Sequence, residues 1–227
     1  MGMSANTPYQ VVIIDLGAGN LRSVAKAVEK AASTLADVPQ ITVSNDPKDI
    51  EAAERIILPG VGAFASCMEG LNKPPGLRDA LESAARDAMK PVFGICVGMQ
   101  MFADISIEFG ETKGLGWIPG SVQKLEPAQR NVRVPHMGWN AIKGQRLNDM
   151  FDNRNEYDGE FFYFLHSYHF VAEINHNIAA TCDYNGHIIA AIAKDNLLGV
   201  QFHPEKSQQA GIDLIANFLS WSPQCPR

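Results

Sequence analysis

Residues 94–98 (Gly-Ile-Cys-Val-Gly) constrain the fold of this chain more than any other segment. They place Cys96 between two glycines, directly after the apolar residues 91–93. A strand that ends in a tight turn and opens a helix presents its central side chain outward, as the nucleophile elbow does for serine. Such a turn needs the flanking glycines because a Cβ on either side would be crowded. The segment therefore predicts a strand, a strained turn at Cys96 and a helix over residues 99–103.

A cysteine in this position has two interpretations. At a helix N-terminus, the dipole and the free N–H groups favour the thiolate, which is the nucleophilic form. Free cysteines are, however, more often buried structural residues. The elbow alone leaves both interpretations open.

The composition is that of a soluble globular protein. The chain has 227 residues, of which 46% are hydrophobic and 19% charged, enough for one large domain with a substantial core. A net charge of −6, with no basic stretch, argues against a nucleic-acid-binding face. The first Lys or Arg is Arg22, so no secretory signal is readable. No apolar run approaches the ~20 residues of a membrane span.

The cysteine spacing points to a reducing compartment. Cys67, Cys96, Cys182 and Cys225 lie far apart, with no C-x-x-C pair. This is neither a disulfide framework nor a zinc site. We therefore expect a cytoplasmic protein without a bound metal.

Hydrophobic periodicity predicts alternating strands and helices in the front half. Continuous or short apolar runs predict strands over residues 11–16, 41–44 and 56–58. Helical spacing of apolar residues predicts helices over residues 21–35, 63–71 and 76–89. This order is typical of βαβ units on a parallel sheet.

The back half reads as short strands joined by hairpins. Strand-like runs cover residues 161–171, 178–184, 188–193 and 198–202, with turn signals at residues 185–186 and 195–196. A last helix is predicted over residues 210–221. We expect one α/β domain over residues 11–221, with a mixed, mostly parallel central sheet flanked by helices and antiparallel hairpins in the C-terminal half. Residues 1–10 are interpreted as a disordered or artificially added start.

His203 is the best candidate for the base that a cysteine nucleophile needs. It is followed by Pro204, which favours an extended backbone at His203, and then by Glu205. With period-2 alternation, the Glu205 carboxylate would point to the same side and orient the imidazole. A polar surface turn is the competing interpretation of this His-Pro-Glu sequence. The conjunction with Cys96 favours the catalytic one.

An oxyanion hole needs backbone N–H groups aimed at the developing negative charge. The elbow itself supplies the N–H of Val97. A second donor could come from residues 59–62 (Pro-Gly-Val-Gly), a strand-end loop whose glycines allow close backbone approach. A plain strand-to-helix turn explains the same residues about equally well.

Nucleotide binding is not expected. Residues 15–20 follow the first strand, but Arg22 occupies the place of the third glycine of a dinucleotide fingerprint. No phosphate-binding P-loop motif occurs either. We therefore expect no cofactor.

Taken together, these segments resemble the class I (triad) glutamine amidotransferases. Two segments carry the resemblance at the level of the class: residues 94–100, which include the elbow, and residues 201–205 (Gln-Phe-His-Pro-Glu). Further segments are similar to the glutaminase subunits of imidazole glycerol phosphate synthase: residues 15–23, 58–62, 135–140, 163–168 and 205–207.

The resemblance implies a glutaminase mechanism. Cys96 would attack the side-chain amide of glutamine, with His203 as acid and base and Glu205 orienting it. The oxyanion would rest on the backbone N–H groups of the loop and elbow: Val61, Gly62 and Val97. The residues implied in glutamine binding are Gly60, Gln100, Glu108, Ser167 and Tyr168. Gln100 lies one helical turn beyond Cys96, whereas the role of Glu108 rests on the resemblance alone.

The resemblance also implies a partner. Ammonia released from glutamine would pass to a HisF cyclase subunit with a (β/α)₈ barrel fold, for synthesis of imidazole glycerol phosphate and AICAR in histidine biosynthesis. The residues expected near the interface of this heterodimer are Asn20, Met137, Trp139, Tyr163 and Lys206. Trp139 has plain core packing as an alternative, because most aromatic residues are structural.

Two other functions stay open from the residues. A stand-alone cysteine γ-glutamyl hydrolase would use the same nucleophile and base without a partner. A non-catalytic docking subunit is the other alternative, and the intact set of Cys96, His203 and Glu205 argues against it.

Overall fold

The computed structural model describes residues 8–17, 20–126, 132–151, 157–184 and 186–223. For Gln145 and Asn148 it describes the backbone but not the side chain. Most of the expected start, residues 1–7, and Asn185 of the first predicted hairpin turn lie outside the described residues.

The described elements alternate in the front half and are mostly strands in the back half. The strands are β1 (Gln10–Ile14), β2 (Gln40–Ser44), β3 (Arg55–Gly60), β4 (Val92–Cys96), β5 (Ile105–Ser106), β6 (Thr112–Lys113), β7 (Gly120–Lys124), β8 (His136–Lys143), β9 (Phe161–His166), β10 (Tyr168–Ala172), β11 (Ile178–Asp183), β12 (His187–Lys194) and β13 (Leu197–Val200). The helices are α1 (Leu21–Ala32), α2 (Pro47–Ala52), α3 (Phe64–Asn72), α4 (Leu77–Glu82), α5 (Val97–Gln100), α6 (Gln145–Phe151) and α7 (Gln208–Ser220). A π-helical turn over Ser83–Asp87 extends α4, and 3₁₀ turns cover Asn175–Asn177 and Pro204–Lys206.

A mixed sheet forms the centre of the molecule, with strand order β2-β1-β3-β4-β13-β12-β11-β8-β9. Its first five strands are parallel, and the remaining neighbours pair antiparallel. The predicted α/β class, the mixed sheet and the C-terminal hairpins are confirmed. A second sheet, ordered β10-β7-β5-β6, was not predicted.

The front half folds as its apolar pattern predicts. Residues 11–14 of β1 are completely buried, because parallel strands covered on both faces need continuous apolar runs. Helix α1 begins after Asn20, whose side chain accepts a hydrogen bond from the N–H of Ser23 at 3.3 Å. Its buried stripe comprises Val24, Ala27, Val28, Ala31 and Ala32.

The elbow between β4 and α5 packs closely against the backbone of β3. Cys96 has φ 54° and ψ −110°, a strained conformation for a residue with a side chain. A Cβ on Gly98 would lie 1.8 Å from the carbonyl oxygen of Leu58 in β3, and one on Gly94 would lie 2.7 Å from the N–H nitrogen of Met99. Glycine is therefore required at both positions for lack of space.

Three local predictions were wrong. Helix α1 ends at Ala32 rather than at residue 35, and the helix after Cys96 covers only Val97–Gln100. The predicted strand over residues 161–171 is two strands, β9 and β10, which separate at Ser167 and enter different sheets. Helix α2, capped by the Asp46 side chain with Pro47 at its first position, was missed because six residues give little periodicity.

We predict that Gly98→Ala destabilises the fold by about 3 kcal/mol or more, because the new methyl group meets the backbone of β3. Urea unfolding of the purified chain measures this. Gly144→Ala is the matched control: the three atoms nearest its Cβ would be two side-chain carbons at 3.0 and 3.3 Å and one backbone carbon at 3.5 Å. It should remain within about 1 kcal/mol of the wild type. Equal stability of all three proteins would refute the close approach.

Candidate active site

A cavity of about 370 Å³ opens where β3 and β4 end. In an α/β sheet, the carboxyl ends of parallel strands are the usual place for a ligand. The residues that line it are Val61, Gly62, Cys96, Val97, Gln100, Glu108, Pro135, Leu165, His166, Ser167, Tyr168, His203 and Lys206. Most of the predicted catalytic and binding residues therefore come together around one space.

Cys96, His203 and Glu205 form a buried contact chain beside this cavity. His203 hydrogen-bonds Cys96, and its Nδ1 lies 2.9 Å from Glu205 Oε1. The His203 and Glu205 side chains are only 4% and 5% exposed. The predicted route to this contact was wrong: Glu205 lies in the 3₁₀ turn Pro204–Lys206, which folds back, rather than in an extended segment.

The imidazole of His203 is held in its charged form. Burial works against the charge, but hydrogen bonds to Cys96 and Glu205 and the negative charges of both groups outweigh it and raise the pKa of His203 well above its usual value. The backbone around His203 is fixed as well: its N–H donates to the Tyr163 carbonyl at 2.8 Å, and its carbonyl accepts from the Ser207 hydroxyl at 2.6 Å. A charged, oriented imidazole therefore faces the sulfur.

The other two described cysteines, Cys67 and Cys182, are held as neutral thiols. Burial raises the pKa of the Cys67 thiol to about 11 and that of Cys182 to about 12. Such thiols stay protonated at neutral pH and are poor nucleophiles. Of these two, only Cys67 touches the site, where its Sγ lies 3.5 Å from the Val61 carbonyl oxygen.

The loop after β3 lies directly across from the elbow. Gly60 is paired with Cys96 in the sheet register, and a Cβ on Gly60 would lie 2.5 Å from the N–H nitrogen of Gly98. Gly62 has φ +84°, which suits glycine. The predicted oxyanion residues Val61, Gly62 and Val97 thus border one end of the cavity together.

Two of the predicted substrate residues are held by the protein itself. Glu108 Oε2 accepts a 2.6 Å hydrogen bond from the N–H of Phe64 and thereby caps α3, where Ala63 offers no side-chain cap. Gln100 Nε2 donates to the carbonyl oxygen of Tyr168 and to Gln201 Oε1, both at 2.9 Å. Each therefore reaches the cavity in a fixed orientation.

Gln201 was quoted in the sequence motif but given no role. Its side chain is fully buried, and its Nε2 lies 3.6 Å from Cys96 Sγ. It follows β13 two residues before His203, so period-2 alternation could have placed both side chains on one side.

A pair of buried histidines was also missed. His136 Nδ1 lies 2.9 Å from His166 Nε2, and His166 Nδ1 lies 2.9 Å from the Tyr168 carbonyl oxygen. Because a carbonyl only accepts, His166 carries its hydrogen on Nδ1 and receives one from His136. Burial keeps both rings neutral at neutral pH. Burial lowers the pKa of His136 to about 4, and burial together with His136 lowers that of His166 to about 3.

Four of the residues predicted for a partner interface lie on the antiparallel strand pair β8–β9 or contact it, whereas the fifth, Asn20, lies at the start of α1. Met137 and Trp139 are 61% and 47% exposed, so Trp139 is not a core residue. Tyr163 is partly exposed and lies opposite Trp139 in the β8–β9 register, and Lys206 Nζ lies 5.9 Å from the Tyr163 ring centre. Asn20 is exposed at the start of α1.

Two further findings concern the described residues alone. Among them, no helix is both long and apolar enough to cross a membrane. In the same part of the chain, no three His, Cys, Asp or Glu side chains are grouped so as to hold a metal ion.

Comparison with known proteins places this geometry in a family. The family model for the class-I glutamine amidotransferases matches residues 12–221 of the sequence. The chain belongs to this family. Among solved structures, a glutamine amidotransferase superposes with a TM-score of 0.68 at 16% identity, covering 92% of this chain and 97% of that chain. A glutamine amidotransferase from Thermotoga maritima gives a TM-score of 0.61 at 14% identity, covering 95% of this chain and 98% of that chain. These two structures show the shared amidotransferase fold.

Several curated amidotransferase relatives match over nearly their full length. The imidazole glycerol phosphate synthase subunit HisH of Caulobacter vibrioides is 47% identical over 213 residues, covering 94% of this chain and 99% of that protein. The HisH subunits of Rhodospirillum rubrum and Bradyrhizobium diazoefficiens are 46% and 45% identical, also over 94% of this chain and over 100% and 99% of those proteins.

The buried histidine pair predicts a loss of stability in weak acid. The unfolded chain takes up protons near pH 6.5, whereas the folded pair resists them until pH 4 to 3. The pair's contribution is therefore complete above about pH 6.5 and falls as the pH drops. Between pH 7 and pH 5, we expect the free energy of unfolding to fall by an amount on the order of 2 kcal/mol through this pair.

Urea unfolding at both pH values measures this fall in the free energy of unfolding. The double variant His136→Gln, His166→Gln should show a much smaller fall, whereas the exposed-site control His187→Gln should show the same fall as the wild type. An unchanged fall in the double variant would contradict the assignment.

Proposed function

We propose that this chain hydrolyses glutamine to glutamate and ammonia as the glutaminase subunit of imidazole glycerol phosphate synthase. The observation that carries the proposal is the buried His203–Glu205 contact beside Cys96 at the edge of the elbow cavity. The HisH relatives, which this chain matches nearly end to end, support the choice of synthase.

The chemistry follows from the placement of these groups. The sulfur lone pair of Cys96 attacks the amide carbon of glutamine, and the C=O electron pair moves onto oxygen. The N–H groups of Val97 and of residues 61–62 stabilise that oxyanion. When the tetrahedral intermediate collapses, His203 donates its proton to the departing nitrogen, the C–N bond breaks and ammonia leaves.

The second half of the reaction returns the enzyme to its starting state. His203, now neutral, takes a proton from water as the water oxygen attacks the thioester carbon. The C–S bond then breaks, glutamate leaves and the sulfur departs as thiolate. Throughout both halves, the Glu205 carboxylate keeps the imidazole oriented and stabilises its cation.

The remaining cavity residues are proposed to hold the amino-acid end of glutamine. Glu108 offers a carboxylate to the substrate ammonium group, while Gln100, Ser167 and Tyr168 border the same space. Gly60 keeps the loop close to the elbow, since any side chain there would strike Gly98. A cavity of about 370 Å³ suits a ligand of amino-acid size.

A separate ammonia acceptor is part of the proposal. Ammonia that escapes into water at neutral pH becomes ammonium, which is not nucleophilic, so the acceptor must dock over the site. We propose a HisF cyclase barrel as this partner, bound as a heterodimer at Asn20, Met137, Trp139, Tyr163 and Lys206. Exposed Met137 and Leu165 lie directly opposite each other on the paired strands β8 and β9, and large exposed apolar groups mark protein interfaces. A stand-alone γ-glutamyl hydrolase would give this face no role.

We place the reaction in the cytoplasm. The described cysteines, Cys67, Cys96 and Cys182, are all free thiols, which agrees with a reducing compartment.

The test is Cys96→Ser in the complex with the cyclase. Because serine is a far weaker nucleophile beside an imidazole arranged for a thiolate, we expect glutamine-dependent synthesis to fall by about 10³-fold or more. Synthesis from added ammonia should be unchanged, since it bypasses this site. Product formation with each nitrogen source measures both.

Cys182→Ala is the matched control, a buried cysteine in β11, three strands away from β4 in the sheet, and should keep both activities. Glutamine-dependent synthesis that survives in Cys96→Ser would refute the assignment of the nucleophile.

A further inference from the structure

Gln201 connects the wall of the glutamine cavity to the nucleophile. Its Oε1 lies 2.9 Å from Gln100 Nε2, and its Nε2 lies 3.6 Å from Cys96 Sγ, within the range of an N–H···S hydrogen bond. The side chain is completely buried. A buried amide is costly unless its polar atoms are paired, so this side chain is held in place by these two contacts.

One backbone carbonyl decides which way both amides point. The carbonyl oxygen of Tyr168 can only accept, so the Gln100 atom 2.9 Å from it is the NH₂ group. The second hydrogen of that NH₂ group faces Gln201, whose facing atom must then be its oxygen. The NH₂ group of Gln201 is consequently turned towards Cys96 Sγ. The chain of hydrogen bonds has a single direction.

We propose that Gln201 is a further catalytic residue, which stabilises the Cys96 thiolate by donating a hydrogen bond to Sγ. Gln100 and the Tyr168 carbonyl act as positioning groups that hold the donor in this orientation. This inference rests on the proposed role of Cys96 as the nucleophile. A hydrogen bond to a charged acceptor is stronger than one between neutral groups, and burial strengthens it further.

The Gln201 amide offers the sulfur a hydrogen bond that does not depend on the protonation state of the donor. His203 gains and loses a proton during the proposed reaction, so its attraction for the sulfur changes from step to step. An amide keeps both hydrogens at every step. Gln201 therefore stabilises the sulfur both as the attacking thiolate and as the leaving group of the thioester.

The test measures the reactivity of Cys96 itself. Gln201→Met keeps the length of the side chain and removes both the donor and the acceptor. Inactivation by iodoacetamide is followed against pH, with mass spectrometry of the Cys96 peptide. We expect the midpoint of the profile to move up by about one pH unit, which is the loss of one charged hydrogen bond. In the cyclase complex, kcat with glutamine should fall about tenfold at nearly constant KM, because Gln201 does not line the cavity.

Two further variants separate a donor from a packing residue. Gln201→Glu keeps the acceptor for Gln100 but turns a carboxylate towards the sulfur. Because that negative charge opposes the thiolate, the midpoint of the inactivation profile should lie at higher pH than in Gln201→Met. Asn196→Leu is the control, because it removes a buried amide that donates to the Ala85 and Lys90 carbonyls away from the site. It should lower the melting temperature and leave the midpoint unchanged.

Each outcome bears on a different claim. A folded Gln201→Met with the wild-type midpoint would make Gln201 a packing residue and overturn the inference. If that variant does not fold, Gln100→Met decides, since loss of the positioning amide should move the midpoint the same way by a smaller amount. No shift there also overturns the inference. Alkylation of Cys96 that leaves glutamine hydrolysis intact would instead refute the proposed function.

Discussion

The site depends on how closely the elbow backbone approaches β3. Gly98 has no room for a side chain because the Leu58 carbonyl lies where a Cβ would be, and Gly60 has none because of Gly98. This contact sets the proposed oxyanion loop, residues 61–62, beside Cys96, whose backbone is strained. Strand β13, paired with the other edge of β4, delivers His203 from the opposite side. Three adjacent parallel strands therefore carry the proposed oxyanion loop, the proposed nucleophile and the proposed base.

The Tyr168 carbonyl is the second point on which the site depends. It accepts hydrogen bonds from Gln100 and from His166, and both determine the orientation of further groups. Through Gln100 the chain reaches Gln201 and Cys96, and through His166 it reaches His136 on β8, the strand that carries Met137 and Trp139. The exposed β8–β9 strand pair and the proposed nucleophile thus share one buried acceptor. The His203 N–H, bonded to the Tyr163 carbonyl, adds a second link between this strand pair and the site.

Prediction from the sequence succeeded best where a pattern of residues is compatible with only one local structure. The apolar run at residues 11–16 predicts a buried parallel strand, which the structure forms over Gln10–Ile14, and the two glycines around Cys96 predict the elbow. The split at Ser167 could not be seen, because β9 and β10 are equally strand-like and only tertiary pairing assigns them to different sheets. The two-residue strands β5 and β6 are too short to show any period.

At the site, the titratable partners were easier to predict than the neutral ones. Glu205 was expected beside His203 because a base needs a carboxylate, although the turn that joins them differs from the predicted strand. Gln201, His136 and His166 carry no charge in the fold, so charge complementarity gives no signal for them. Their contacts join residues that are far apart in the chain, which only the sheet order reveals.

The most direct test of the account is glutamate release from glutamine by the purified chain, alone and then with a cyclase barrel and its nucleotide ligand. The account predicts weak release by the chain alone and a large increase when partner and ligand are both present. Full activity of the chain alone, unchanged by the barrel, would contradict it and identify a stand-alone hydrolase.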